Sequence, residues 1–272
     1  MAAERSANRY HHVGWLPGIE VFEARLTNQT FARHAHEGFA IGAIATGVGG
    51  YVCRGQTMVL PPGTLSLMNP EEAHTGQAHT ATLAYTMLYA TEDAVRTSLD
   101  LRRLQGFREV MPCDDGFEIS RRLGRLASLL NAPSDGDWRL AVEETVQDLL
   151  AKVFTVHGRS EVRDPGQEPV AVARVREAIN AAVTQADDLS LGGLAQLAGL
   201  HPVYLTRCFK RAVGLSPHAY AVQCRVRRAY RDLVEGARGA DAATSAGFYD
   251  QSHMIRHLRC HLGVTPRQIR VH

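Results

Sequence analysis

Two groups of residues have types and spacings able to do chemistry. The first is His34 and His36, with His74 further along. Side chains two apart on an extended strand point to one face. If that face is the inside of a barrel, the three imidazoles line a pocket. There they can bind a divalent metal, offer hydrogen bonds to an organic ligand, or serve as ordinary structural histidines. Glu37 is adjacent to His36 and points the other way, and Ala40 and Ile41 stand four and five residues after His36. No carboxylate joins the set, so neither a metal nor another cofactor is expected. Tyr85, Met87 and Tyr89 alternate with smaller residues and share an inward face, as core or as ligand contacts.

The second group lies in "GFYDQSHMIRHLRCHLGVTP", residues 247–266. Arg256 follows Ser252 by four residues and His253 by three, so these share one face of a helix, and Met254 and Leu258 share another. Arginine pairs bidentately with guanine O6 and N7, and glutamine with adenine. A solvated surface helix has the same pattern, so the surrounding elements must decide.

Those elements repeat. Residues 191–217 and 239–266 both run as a short helix, Gly199 or Gly247, an apolar residue, a polar turn, and a helix bearing Arg207 or Arg256. Both close with Gly, an apolar residue, Ser or Thr, and Pro. Glycine after a short helix lets the chain turn sharply through the left-handed conformation. A helix, a tight turn and a second helix is the unit that sets a recognition helix in the DNA major groove. Ser190 caps the first short helix, Pro202 opens its partner and Gly214 stops it. A long helix up to Gly236 joins the copies, and a preceding helix carries Val172, Val175, Ile179 and Val183 on one face.

On these residues the chain resembles the AraC/XylS family of bacterial transcription regulators, over roughly 171–270. The most specific part is "AGFYDQSHMIRHLRCHLGVTPRQIR". The resemblance implies helix-turn-helix units near 191–213 and 239–262, presenting recognition helices to successive major grooves. It carries base-facing roles to Val203, Thr206 and Arg207, phosphate contacts to Lys210 and Arg211, and a reading face to Gln251, Ser252, His253 and Arg256, with Arg259 one turn on. Gly239, Ala242 and Met254 depart from the family's larger residues, which implies looser packing of the second unit. The implied partners are double-stranded promoter DNA, a small-molecule effector, a second copy of the chain in a homodimer, and RNA polymerase. Activation is the family's usual effect and is expected here.

The front half is read as short strands over 19–89, separated by Gly, Pro and Asn-Pro, which indicates an antiparallel barrel or sandwich. "RHAHEGFAIGAIATGVGGYVCRGQTMVLPPGTLSLMNPEEAHTG" resembles the cupin-type effector domain found at the front of many such regulators. That resemblance carries effector contacts to His34, His36, His74 and Tyr85. Two helices, 114–131 and 137–156, follow. They either cap the barrel or form a dimer face, the second through Leu140, Val146, Leu149, Leu150 and Val153.

The expected fold is therefore two domains. An all-β cupin-like barrel followed by helices spans 1–160, for effector binding and dimerisation. A linker spans 161–169, and an all-α DNA-binding domain spans 170–272. Composition agrees. Residues 168–272 hold 14 Lys+Arg against 8 Asp+Glu, a charge of +6, whereas 1–167 hold 16 against 20, a charge of −4. Only the second half is suited to a polyanion. Five cysteines without paired spacing read as reduced thiols, with Cys208 and Cys260 on packing faces. The polar first residues lack a secretion signal and no apolar run spans a membrane, so a cytoplasmic protein is expected. The expected function is a ligand-responsive, sequence-specific DNA-binding regulator and not an enzyme. The alternative is a metal-dependent cupin enzyme with a helical appendage.

Overall fold

The computed structural model describes residues 8–26, 30–101, 103–108, 115–132, 136–158, 160, 165–185 and 187–269. Cys113 and residues 161–164 of the expected linker lie outside the described residues. The chain divides into two compact units, Met1–Asn131 with Thr145–Val162, and Ala132–Glu144 with Arg163–His272. Residues 132–144 thus group with the second unit, where the sequence reading had a single break at 161–169.

Among the described residues the first unit is built on nine antiparallel strands: β1 (Arg9–His12), β2 (Ile19–Leu26), β3 (Thr30–His34), β4 (Phe39–Thr46), β5 (Gly49–Cys53), β6 (Gln56–Leu60), β7 (Leu65–Met68), β8 (His74–Ala78) and β9 (Leu83–Ala90). They form one sheet in the order β1-β2-β9-β4-β7 and another in the order β3-β8-β5-β6. Local chemistry sets the turns. Cys53 pairs with Gln56, so β5 and β6 are joined by Arg54 and Gly55 alone, both with positive φ (50° and 74°). That is the two-residue hairpin whose twist suits the flanking strands. Alternate residues of the two sheets meet in one core, with Ala24, Ala40, Ile44 and Met87 from the first and Tyr51 and Leu60 from the second.

The other face of the larger sheet is covered by helices. After α1 (Glu92–Leu99), capped by the Thr91 side chain, come α2 (Asp115–Asn131) and α3 (Trp138–Val156). α2 packs on β4 and β9, and Phe39 of β4 meets Phe154 of α3 edge-on at 4.9 Å. The helices cap the barrel. Val146, Leu149, Leu150 and Val153 are buried within the single chain, so this stripe is not an open dimer face.

The second unit is helical: α4 (Pro169–Gln185), α5 (Leu191–Ala198), α6 (Pro202–Val213), α7 (Pro217–Val234), α8 (Gly239–Ser245) and α9 (Gln251–Leu262), then a single 3-10 turn at Pro266–Gln268. The stop and start signals act as read. The Ser190 hydroxyl accepts from the Gly193 N–H, and Gly199 and Gly214 end their helices with φ of 66° and 78°. α7 serves two cores. Tyr220 and Ala221 join Val175, Ile179, Leu194, Leu205 and Phe209. Val222, Val226 and Ala229 join Ala242, Ala243, Phe248, Met254 and Leu258. In the second pair Ala242 and Met254 are fully buried.

The first turns of α3 belong to this unit and bring carboxylates to helix starts. Glu143 accepts from the Leu191 N–H at 2.5 Å, and Glu144 accepts from the His218 N–H at 2.7 Å. These N–H groups lack intrahelical partners, and the helix dipole favours an anion beside them. Cys208 and Cys224 are buried, but Cys260 is exposed rather than on a packing face. It lies two residues, about 200°, from buried Leu258.

Candidate functional site

The first unit holds an open-mouthed cavity of about 110 Å³, lined by Phe22, Tyr51, Tyr85, Met87 and Tyr89 and by His34, His36 and His74. Strand register places the lining. Ala24 and Ile44 oppose Tyr85 on either side of β9, Phe22 and Gly42 oppose Met87, and Ala40 opposes Tyr89. A Cβ on Gly42 would run into the Met87 sulfur, so Met87 would have to shift to admit one.

His34 ends β3 and pairs across the ladder with His74 of β8. His36 lies just beyond the strand end, not on the strand. The three rings nevertheless converge, with centroids 4.9 Å (His34–His36), 4.4 Å (His34–His74) and 5.0 Å (His36–His74) apart. His74 is buried, His36 half-buried and His34 exposed at the mouth. Among the described residues no carboxylate joins them, since Glu37 is exposed and Glu72 is paired with Arg54. Burial, reinforced by His74 and His34, pushes the His36 imidazole down to about 4. Burial also lowers His74, against the opposing pull of the Glu72 carbonyl. Burial raises the phenols of Tyr51 and Tyr89 to about 12 and lifts Tyr85 as well. His36, His74 and the tyrosines are therefore neutral at pH 7. Among the described residues no Lys, Arg, Asp or Glu lines the cavity.

In the second unit the helix pairs α5–α6 and α8–α9 share one plan. Leu205 and Phe209, four apart, are fully buried on α6, as Met254 and Leu258 are on α9. Each second helix then carries a basic residue two positions after the first buried one, Arg207 or Arg256. Gly199 and Gly247 make the turns with φ of 66° and 77°. On α9 the Asp250 carboxylate caps the helix by accepting from the His253 N–H at 2.6 Å.

The structure separates the ten residues read as facing DNA. Gln251, Ser252, Arg256 and Arg259 on α9 and Lys210 and Arg211 on α6 are exposed, and Arg207 is half-buried. Val203 and Thr206 are buried at 5% and 6% exposure, and the Thr206 hydroxyl donates to the Pro202 carbonyl at 3.1 Å. Their side chains are thus largely withdrawn from solvent. His253 is half-buried. Its ring packs on Phe248 at 5.6 Å, and its Nε2 lies 2.9 Å from His257 Nε2. Burial, with His253 and His261 alongside, holds the His257 imidazole down to about 4.

Comparison with known proteins fits this division. The AraC-like ligand binding domain family matches residues 16–150, and the helix-turn-helix domain family matches residues 194–272. The chain belongs to the AraC-type transcription regulators. It is 28% identical over 243 residues to the uncharacterized HTH-type transcriptional regulator YbfI of Bacillus subtilis (strain 168), covering 87% of this chain and 86% of that one. It is 33% identical over 86 residues to the bifunctional transcriptional activator/DNA repair enzyme Ada of Escherichia coli (strain K12), covering 32% of this chain and 24% of that one. A solved probable AraC family transcriptional regulator from Rhodopseudomonas palustris CGA009 is 31% identical over 36% of this chain and 91% of its own, with a TM-score of 0.33. This regulator is a ligand-responsive DNA-binding protein with a cupin-like front domain. Among the described residues no helix is long and apolar enough to cross a membrane.

Sequence reading found the three histidines and Tyr85 but missed Tyr51 and Phe22. Their signal was alternation along β5 and β2.

Proposed function

We propose that the regulator binds an uncharged small organic effector in the barrel cavity and reads promoter DNA with α6 and α9. The observation that carries the reading is the shared plan of the two helix pairs. Each buries two apolar residues four apart and keeps basic residues off that face. Gln251, Ser252, Arg256 and Arg259 are assigned to one major groove, and Arg207 and Lys210 to another. Val203 and Thr206 are left out because they are buried. The cavity's neutral lining of tyrosines, imidazoles and apolar groups supports an uncharged effector, since no lysine or arginine among its described residues is there to match a carboxylate or phosphate.

The regulator is further proposed to act in the cytoplasm as a homodimeric activator that engages RNA polymerase, and to catalyse no reaction. The dimer seam is not the apolar stripe of α3, which is buried within one chain. A catalytic cupin with a helical appendage would leave the repeated helix pairs without a role. The test is DNA binding by the full chain across a salt series, with a thermal-shift screen of uncharged metabolites. Salt-dependent binding and a midpoint raised by a ligand are expected. Salt-independent binding would sink the DNA assignment.

A further inference from the structure

Outside the barrel cavity, α9 carries imidazoles of its own. His253, His257 and His261 follow one another at four-residue steps, so they line one face of the helix. His253 and His257 are half-buried and His261 is exposed. The Nε2 of His253 lies 2.9 Å from the Nε2 of His257. Two nitrogens that close have room for one hydrogen between them, so one donates and the other accepts. Neighbouring rings hold the pair. Phe248 stacks on His257 at 5.6 Å with 28° between the planes, and it meets His253 edge-on at 5.6 Å. His261 stacks on His257 at 6.0 Å. The buried residues of α9 are Met254 and Leu258, so the imidazole pair is not part of its core.

We infer that His253 and His257 form a chelating site for a divalent transition-metal ion on α9, with both Nε2 atoms as ligands and the remaining coordination positions taken by water. Two histidines four apart on a helix are the spacing by which zinc proteases hold their ion. Metal–nitrogen bonds of about 2.0–2.1 Å meeting at a right angle put the two nitrogens about 2.9 Å apart, whereas a tetrahedral angle puts them roughly 3.3 Å apart. The separation on α9 is therefore the bite of a square or octahedral ion, and the rings need not move to accept one. Whichever ring donates shifts its hydrogen from Nε2 to Nδ1 through water, so both remain neutral ligands. Cu²⁺ and Ni²⁺ favour imidazole and these geometries. Zn²⁺ should bind less tightly, and Mg²⁺ and Ca²⁺, which take oxygen ligands, should not bind.

The site depends on neither the DNA nor the effector reading. Full-length protein without an affinity tag, carrying His34→Ala and His36→Ala to disable the barrel imidazoles, is the parent for the test. It is stripped of metal and titrated with Ni²⁺ by calorimetry. One ion per chain is expected, with binding weakened roughly tenfold or more by His257→Ala and by His253→Gln. His261→Ala keeps the pair and should bind as the parent does. Ni²⁺ should raise the melting midpoint of the parent and not that of His257→Ala, whose metal-free melt checks its fold. With Cu²⁺, electron paramagnetic resonance should show two imidazole nitrogens on the ion in the parent and fewer in either pair variant. If Ni²⁺ binds the parent and both pair variants equally, the ion sits elsewhere and the inference falls. If the parent binds no Ni²⁺ while the unaltered chain does, the ion belongs to the barrel and the inference falls. Should both pair variants fail to fold, the Cu²⁺ spectrum of the parent decides, and fewer than two imidazole nitrogens overturns the site.

Discussion

Replacing Leu258 and Arg256 one at a time separates packing from reading on a single helix. Leu258 is fully buried and shares a core with Val222, Val226, Phe248 and Met254. Leucine-to-alanine changes in such places cost about 2–5 kcal/mol, depending on how far the surroundings collapse into the space. Here Ala242, Ala243 and Ala246 belong to the same cluster and have nothing beyond Cβ to move into it. The expected loss for Leu258→Ala is therefore in the upper part of that range, about 3–5 kcal/mol. Arg256 is exposed two residues away, and its replacement should change stability by no more than about 0.5 kcal/mol. A bidentate base contact is worth about 1–3 kcal/mol, so Arg256→Ala should weaken specific binding roughly 5- to 150-fold. Binding to random duplex should change far less. The assay is urea denaturation for both variants and titration with operator and random duplexes. If Arg256→Ala weakens both duplexes equally, the residue clamps phosphate. If it lowers stability as much as Leu258→Ala, the faces of α9 have been assigned backwards.

Four further outcomes are expected. The log of DNA affinity should fall linearly with log salt, and Lys210→Ala should make the slope shallower by about one unit if it neutralises a phosphate; an unchanged slope removes it from the interface. Gly42→Ala should push the Met87 sulfur into the cavity, costing about 1–3 kcal/mol of overpacking and the effector's thermal shift, while DNA affinity without effector is kept. Asp137→Ala should cost about 3–5 kcal/mol in denaturant melts, because it strips the carboxylate 3.5 Å from the Nε of fully buried Arg225 and leaves a buried cation, whereas a loss under 1 kcal/mol would mean the pair is dispensable. His257 titrates near 6.5 unfolded and about 4 folded, so between those values the unfolded chain binds the extra proton. Its contribution is complete above pH 6.5 and is lost as pH falls toward 4, so the melting midpoint should drop over that window and drop less in His257→Gln; an identical pH profile in the variant would refute this.

What could be read from the sequence divides along the range of the interactions. Ser190, Pro202, Gly199 and Gly247 act on their own helix ends, so the helices of the second unit were legible residue by residue. The strands β4 to β7 and β9 were legible because Gly- and Pro-rich turns punctuate them, but β1, β8 and α1 were not. β1 is short and mostly exposed, so it is held by its register against β2 and carries little apolar signal of its own. The capping carboxylates were invisible for a related reason. Glu143 and Glu144 reach helix starts 48 and 74 residues away, and no local pattern in "VEETV" announces that.

The site shows the same division more sharply. Spacing on α9 was enough to find Arg256 and to separate it from Met254 and Leu258, since helical period alone decides those faces. It did not foresee that the His253 ring meets Phe248, outside the helix, and His257. It gave no sign that Val203 and Thr206 are buried. In the barrel, the spacing of His34 and His36 predicted a shared strand face. Their rings instead meet because His34 ends its strand opposite His74 while the chain turns back at His36. The detail that changes the chemistry, two backbone carbonyls holding Nδ1 protons on His34 and His74, depends on where Ala32 and Glu72 point their oxygens. Backbone orientation at a strand end follows from the assembled sheet and not from residue type.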